Sequence, residues 1–346
     1  MNKNKYRIAL IFGGEGEERE ISLAGARFVC PLINREKYEV VPTFITKRGE
    51  WLVLPDTETL EEFAIGSPAS LTGLSGGGFI GDFGFLKIDC AIPLLHGSFG
   101  EDGRIQGALE CAHIPYVGSD VSAGAVAMDK AFTKTLVASL GIPTVPSHLA
   151  IRGSSAHSKD AAQKRAEMDF GYPMFIKPAR QGSSVGASVV QNKEEFDKAF
   201  FEAVNVSDGR VLLEQYIDNR VELECAYLAA KGKQLFTPLG EISCDGFYDY
   251  DEKYAEGSTA KVLSVSSYEN AYGDKVREWS KQIVEHLGVR HLSRLDFFLS
   301  GDRLYFNEIN TFPGFTEASL YPRLIARLGI SPEELIDLLI SDSLGI

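Results

Sequence analysis

Asp296, Glu308 and Asn310 are the residues of this chain whose types and spacing point most directly to chemistry. They lie in Arg294-Leu-Asp-Phe-Phe-Leu-Ser-Gly-Asp-Arg-Leu-Tyr-Phe-Asn-Glu-Ile-Asn310, which reads as strands Arg294–Leu299 and Leu304–Asn310 around a turn at Gly301-Asp302-Arg303. With that three-residue loop Ser300 pairs with Leu304, so Asp296 faces Glu308 and Arg294 faces Asn310. Two carboxylates at about 5 Å between Cβ atoms repel each other unless a cation sits between them. A hard divalent ion satisfies such a pair, and Asn310 adds a neutral oxygen. Arg294 beside them suits phosphate, whose oxygens match the planar guanidinium fork. The combination predicts a magnesium–nucleotide site. A two-residue loop would slip the register and put the acids on opposite faces, leaving an exposed hairpin with solubilising charges.

A nucleotide needs further partners, and the chain offers them. Gln181-Gly-Ser-Ser-Val-Gly186 follows Phe175-Ile-Lys-Pro178 between two expected strands. Its small residues, Gly182 and Ser184 among them, let successive N–H groups turn toward an anion, and Lys177 adds a point charge. The pattern is not a P-loop, which requires G-x-x-x-x-G-K-[ST] opening a helix. Lys130, in Met128-Asp129-Lys130, supplies a second lysine. Glu214-Gln-Tyr216-Ile217 ends a strand whose edge backbone, with apolar neighbours, suits an adenine ring, and Glu222 suits ribose hydroxyls. Near the start, Gly13-Gly-Glu-Gly-Glu-Glu-Arg19 resembles a dinucleotide loop, but G-x-G-x-x-G needs a small residue where Arg19 stands. Its acids suit an ammonium group better than a pyrophosphate. His96-Gly97, followed by Gly100-Glu-Asp-Gly103, reads as either a ligand donor with turn-forming glycines or a satisfied histidine.

These residues must be held by elements the pattern also predicts. The first third alternates strands (Tyr6–Phe12, Tyr38–Ile45, Ile88–Leu95) with helices (Glu20–Asn34, Arg104–Ala112), the order of a doubly wound parallel sheet. Within it, residues 46–83 lack periodicity and read as a surface insertion. From Asp129 the order becomes helix Lys130–Leu140, strand Tyr172–Pro178, glycine loop, strand Ala187–Gln191, helix Lys193–Val204 and strand Val211–Tyr216. The last third is strand-rich, with a helix over Tyr268–Leu287 before the acidic hairpin and two more helices after it. The reading is an α/β chain of three linked α+β units: 1–128, 129–218 and 219–346.

Composition limits the partners. The 346 residues carry 35 basic and 48 acidic side chains, a net charge of −13, which argues against nucleic acid. No stretch is apolar enough to span a membrane, and the early run Ile8–Phe12 is too short for a signal peptide. The five scattered cysteines suggest buried thiols in a reducing cytoplasm.

Taken in order, these motifs resemble the ATP-grasp superfamily and, within it, the D-alanine–D-alanine ligases. The resemblance runs from Gly13-Gly14 through His96-Gly97, Gly100–Gly103, Met128–Lys130, Lys177-Pro178 and Gly182–Gly186. It continues through Tyr248-Asp-Tyr250, Lys253-Tyr254, Glu308–Thr311 and Pro313–Thr316. It implies a three-domain ATP-grasp enzyme that joins two D-alanine molecules through an acyl phosphate, for peptidoglycan precursor synthesis. ATP would lie between the second and third domains. Two magnesium (or manganese) ions would sit on Asp296, Glu308 and Asn310. Arg294 and the Gly314 N–H would stabilise the developing oxyanion. Glu18 would hold the first ammonium, with His96 and Lys253 also on the substrates and Ser183 and Tyr254 as hydrogen-bonding companions. Ser319 and Leu320 would read the second substrate. A cytoplasmic homodimer is the expected state.

Glu317-Ala318 stands where the family commonly has Ser-His, and residues 261–266 lack its usual proline-containing ending. The nearest alternative is ligation of D-serine or D-lactate as second substrate. Lactate-type relatives carry histidine at position 254 and serine-type ones often arginine at 320, so Tyr254 and Leu320 favour D-alanine. More distant alternatives are a dinucleotide oxidoreductase, opposed by the broken glycine motif, and a non-catalytic nucleotide sensor, opposed by the full set of lysines and metal ligands.

Overall fold

The computed structural model describes residues 5–16, 18–57, 60, 65–182, 184–243 and 261–346. The first unit contains β1 (Tyr6–Gly13), α1 (Arg19–Leu32), β2 (Tyr38–Ile45), β3 (Trp51–Val53), β4 (Ser67–Thr72), β5 (Gly78–Gly81), β6 (Gly84–Lys87) and β7 (Cys90–Pro93), then α2 (Arg104–Cys111) and α3 (Val121–Met128). Its sheet runs β6-β5-β4-β3-β2-β1-β7. Only β2, β1 and β7 pair in parallel, as their buried, near-continuous apolar runs require. The rest is antiparallel, so residues 46–83 are not an irregular insertion but carry strands that widen this sheet. Phe79, within that stretch, is fully buried.

The second unit contains α4 (Lys130–Ser139), β8 (Ser147–Ile151), α5 (Lys159–Asp169), β9 (Met174–Pro178), β10 (Ser188–Val190), α6 (Lys193–Asn205) and β11 (Arg210–Gln215), with strand order β10-β9-β11-β8. β8 and α5 were not visible in the sequence pattern. Ser158 caps α5, but its helix is polar on almost every side and buries only Ala162 and Ala166. Periodicity has little to register there.

The third unit contains β12 (Val221–Ala230), β13 (Lys233–Phe236), β14 (Gly240–Ser243), β15 (Lys261–Leu263), α7 (Glu269–Leu287), β16 (Leu292–Ser300) and β17 (Arg303–Asn310), followed by α8 (Leu320–Ala326) and α9 (Pro332–Leu344). Its sheet runs β15-β14-β12-β16-β17, with β13 also on β12. α9 starts where Ser331 caps the Glu334 N–H with Pro332 at the first turn, and stops at left-handed Gly345. Tyr321, Leu324, Leu339 and Ile340 share one apolar core with Leu10, Phe12 and Val29 of the first unit. The closing helices thereby fasten the first sheet to the third. Among the described residues no helix is long and apolar enough to cross a membrane. Cys30, Cys90 and Cys225 are buried free thiols, but Cys111 is exposed, and Cys244 lies outside the described residues.

Candidate active site

A cleft of about 510 Å³ opens where the three sheets meet, and every predicted site residue that is described lines it. Ser183, Lys253 and Tyr254 lie outside the described residues.

The acidic hairpin reaches the expected facing by an unexpected route. Its turn is the two-residue Gly301-Asp302, since Ser300 pairs with Arg303. Gly301 takes φ 61°, which glycine adopts without strain. That register would set Asp296 against Asn307. A β-bulge between Asp296 and Phe297 inserts Asn307 as an extra residue, and beyond it Asp296 pairs with Glu308 and Arg294 with Asn310. Phe297 and Phe306, paired below the bulge, are wholly buried and hold the hairpin to its core.

The next strand adds a residue the motif search missed. Glu224 on β12 pairs with Asp296, so three acids, Glu224, Asp296 and Glu308, form a row across three strands. Glu222 and Glu224, two apart on one strand, share a face, and that spacing was legible beforehand. Arg294 answers the row. Its Nε and Nη2 donate to the two Asp296 oxygens at 2.8 and 2.7 Å, and Nε lies 3.0 Å from Glu224 Oε2. Burial disfavours the guanidinium charge, but Asp296, Glu224 and Glu308 outweigh it and hold Arg294 charged. Asn310 Nδ2 donates to Asp296 Oδ2 at 3.1 Å, and Lys130 Nζ lies 3.2 Å from Glu308.

The donor set fits a hard divalent ion. Asp296, Glu308 and Asn310 offer only oxygens on one wall of the cleft. Among the described residues no group of three His, Cys, Asp or Glu side chains forms a self-sufficient metal cage. A partial oxygen set completed by phosphates and water is the usual mode for magnesium.

The second unit carries the lysines. Asp129 caps α4 through the Ala131 and Phe132 N–H groups and is ion-paired to Arg180 and Arg210. This fixes Lys130, whose Nζ donates to the Gln181 carbonyl at 2.7 Å, at the base of the glycine loop. In that loop Ser184 and Gly186 both take left-handed backbone, with φ 59° and 71°. Lys177 points at Glu214 (2.8 Å), and Glu214 also binds Lys134 (2.9 Å), a residue the sequence reading did not single out. Burial pushes the Glu214 carboxyl up, but the two lysines outweigh it and hold it below its ordinary value. Its side chain is thus committed to lysines.

The expected edge backbone at Glu214 is not an edge. β11 lies inside its sheet, paired with both β8 and β9 through Glu214. The ladder ends at Gln215, so backbone positions facing the cleft begin at Tyr216 and Ile217. Glu222 follows, 3.3 Å from Arg220 Nε, with Arg220 over the Phe298 ring at 4.8 Å. Arg220 and Phe298, both on the cleft wall, were also missed.

The first unit closes the third side. Glu18, at the start of α1, lies against Gly97 and Gly182: a side chain on Gly97 would collide with its carboxylate, and one on Gly182 would press on it. His96 Nδ1 lies 3.3 Å from the Phe312 carbonyl. That acceptor requires the proton on Nδ1, leaving Nε2, which is buried without a partner among the described residues, as an acceptor. Burial lowers the His96 pKa, keeping the ring neutral. Gly314 abuts the Ser319 hydroxyl, which contacts the Thr316 N–H (3.0 Å) and hydroxyl (2.7 Å). Leu320 lines the cleft yet belongs to the main apolar core, so a charged replacement there would strain the fold as well as the site.

Glu101 gives a pH signature. Burial first, then the Glu18 carboxylate, push it from 4.5 up to about 8, against the opposing Gly97 and Phe312 N–H donors and Arg294. The folded protein therefore holds this proton more tightly than the unfolded chain. The stabilisation is full below about pH 4.5 and fades as pH rises through about 8. Between these limits the melting temperature of Glu101→Gln, measured without ligands, is expected to fall less steeply than that of the wild type. Parallel profiles would refute this.

Comparison with known proteins agrees with this geometry. The family profile described as "D-ala D-ala ligase N-terminus" matches residues 7–119, and "D-ala D-ala ligase C-terminus" matches 136–341. A D-alanine–D-alanine ligase from Deinococcus radiodurans is 40% identical over 346 residues, covering 97% of this chain and 98% of the relative. Among solved structures, the VanG D-Ala:D-Ser ligase from Enterococcus faecalis superposes with a TM-score of 0.88 at 34% identity, covering 98% of this chain and all of that one. The D-alanine–D-alanine ligase from Bacillus anthracis complexed with ATP gives 0.72 at 27% identity, covering 98% of each chain. With both halves matched and the lysines, acids and glycine loop gathered on one cleft, the chain belongs to the D-alanine–D-alanine ligase family and is an ATP-grasp ligase.

Proposed function

We propose that this enzyme joins two D-alanine molecules at the expense of ATP, giving D-alanyl-D-alanine for peptidoglycan precursors, ADP and phosphate. The observation that carries this reading is the convergence of the acidic hairpin, the lysine wall and Glu18 with His96 on one cleft. In this reading the triphosphate lies along Lys130, Lys177 and the Gly182–Gly186 loop. The adenine meets Tyr216 and Ile217, and the ribose meets Glu222. Asp296, Glu308 and Asn310 would hold two magnesium or manganese ions, whose charge would neutralise the transferring phosphoryl group.

Glu18 and the neutral His96 Nε2 take the ammonium of the first D-alanine and aim its carboxylate at the γ-phosphate. Attack breaks the bond between that phosphorus and ADP and gives D-alanyl phosphate. The deprotonated amine of the second D-alanine then attacks the acyl carbon, and phosphate leaves. Arg294 and the Gly314 N–H stabilise the negative oxygen formed in between. Ser319 serves the second carboxylate, Lys253 also contacts the substrates, and Ser183 and Tyr254 complete the companions of Glu18. The units 1–128, 129–218 and 219–346 are the three domains, supported by their three separate sheets. The enzyme works in the cytoplasm as a homodimer.

The high structural similarity to a D-Ala:D-Ser ligase keeps D-serine as the second reading. Leu320 favours D-alanine, since an apolar wall offers no partner to a serine hydroxyl. Burying that hydroxyl unpaired costs about 1–3 kcal/mol, a tenfold to hundredfold preference. The test is ATP-dependent phosphate release with D-alanine alone and with D-serine or D-lactate as competing second substrate. A kcat/KM ratio favouring D-alanine is expected; a ratio favouring D-serine would transfer the assignment to the second reading.

A further inference from the structure

Phe312 is gripped on both sides of its backbone by the first unit. Its N–H donates to Glu101 Oε1 at 3.1 Å, and its carbonyl lies 3.3 Å from His96 Nδ1. The second oxygen of Glu101 accepts from the Gly97 N–H at 2.8 Å. Gly97 is the residue whose missing side chain admits the Glu18 carboxylate. The Phe312 ring packs into the main core beside Phe315, and it contacts Gly118 closely enough that a methyl there would press on it. Two residues further on stands Gly314.

We infer that Glu101 is a positioning residue that sets the Phe312–Gly314 backbone against the Glu18 subsite. One carboxyl group spans two chain segments, Gly97 from the first unit and Phe312 from the end of the acidic hairpin. It thereby fixes the distance between the group that holds the first substrate and the N–H that faces its reacting carbonyl. The reason this matters for rate is geometric: a displacement of about 1 Å between reacting groups lowers rates on the order of a hundredfold. Lys130, Lys177, Tyr216, Ile217 and Glu222, the proposed nucleotide contacts, stand on other elements, so ATP affinity is expected to change little when this tie is cut. Sequence reading had placed Glu101 in a turn between glycines, a role the observed contacts exceed.

The inference rests on the ligase reading for the part played by Gly314, and the experiment separates the two. Glu101→Leu removes both acceptors, while Glu101→Gln keeps one oxygen and turns an N–H toward the other donor. For Leu the expected result is a fall in kcat of roughly a hundredfold with ATP affinity by calorimetry within about threefold. Gln should recover part of the rate, leaving a loss of roughly tenfold, as for one hydrogen bond. Hydrogen exchange at the Phe312 and Gly314 amides should rise in both variants, with or without substrates. If Leu does not fold, Gln alone decides. A kcat within threefold of wild type, unchanged exchange at Phe312, or a parallel fall in kcat and ATP affinity would each overturn the assignment. Wild-type protein that releases no phosphate with D-alanine would refute the ligase reading instead, and the exchange result would still decide the tie.

Discussion

Replacing Glu308 by glutamine is expected to abolish ATP turnover while leaving the fold intact. Glu308 stands opposite Asp296 across the hairpin, and Glu224 extends the same row. Glutamine keeps the shape and removes one negative charge from a site proposed to hold divalent cations. A metal of this kind contributes several kcal/mol of charge stabilisation to phosphoryl transfer, so kcat should fall on the order of a thousandfold. Stability should change little. Taking one charge from a row of three acids relieves repulsion, and the Glu308 side chain retains about a quarter of its exposure, but the same charge supports buried Arg294 and Lys130 at 3.2 Å. A melting temperature close to that of the wild type is therefore expected alongside the lost activity. Near-normal phosphate release at ordinary magnesium would remove Glu308 from the metal set. Loss of activity with a lower melting temperature would make its role structural.

The hairpin also shows how a correct placement can follow from an incorrect step. Local pattern identified the strands and the facing acids, because alternation along a strand is set by the backbone itself. It misjudged the turn by one residue, and the bulge at Asn307 compensated. Nothing in Phe306-Asn307-Glu308 announces a bulge, whose cause is the fit of Phe297 and Phe306 into a core built by distant residues. The same limit explains Glu214, Glu101 and residues 46–83. A strand's neighbours, a carboxylate's partners and the edge that a short strand extends are all decided by tertiary pairing. By contrast, the places of Lys130, Lys177, Asp296 and Asn310 on the cleft were legible, because each sits in a motif whose local pattern suits a nucleotide. His96 was legible as a candidate; its tautomer, and hence its use as an acceptor, required the Phe312 carbonyl.

Glu214→Gln is expected to destabilise the enzyme by about 3–5 kcal/mol, the cost of breaking a buried ion pair from one side. Glu214 is almost wholly buried, and both its oxygens are taken, by Lys134 at 2.9 Å and Lys177 at 2.8 Å. Removing the carboxylate leaves two ammonium groups facing each other, with only the influence of Glu308 on Lys134 to oppose their repulsion. Burial already pushes Lys134 below its ordinary value, and Glu214 is the largest influence opposing that shift. Lys134→Met should be milder, since Glu214 would keep Lys177. The combination Lys134→Met with Glu214→Gln removes one charge of each sign, and its melting temperature should lie above that of Glu214→Gln alone. Lys177 lines the cleft and has the nucleotide phosphates as an alternative partner in the ligase reading, so saturating ATP should stabilise the double variant more than it stabilises the wild type. Additive losses in the double variant would mean that the three side chains do not act as a unit. A Glu214→Gln protein as stable as the wild type would show that water reaches this triad, contrary to its burial.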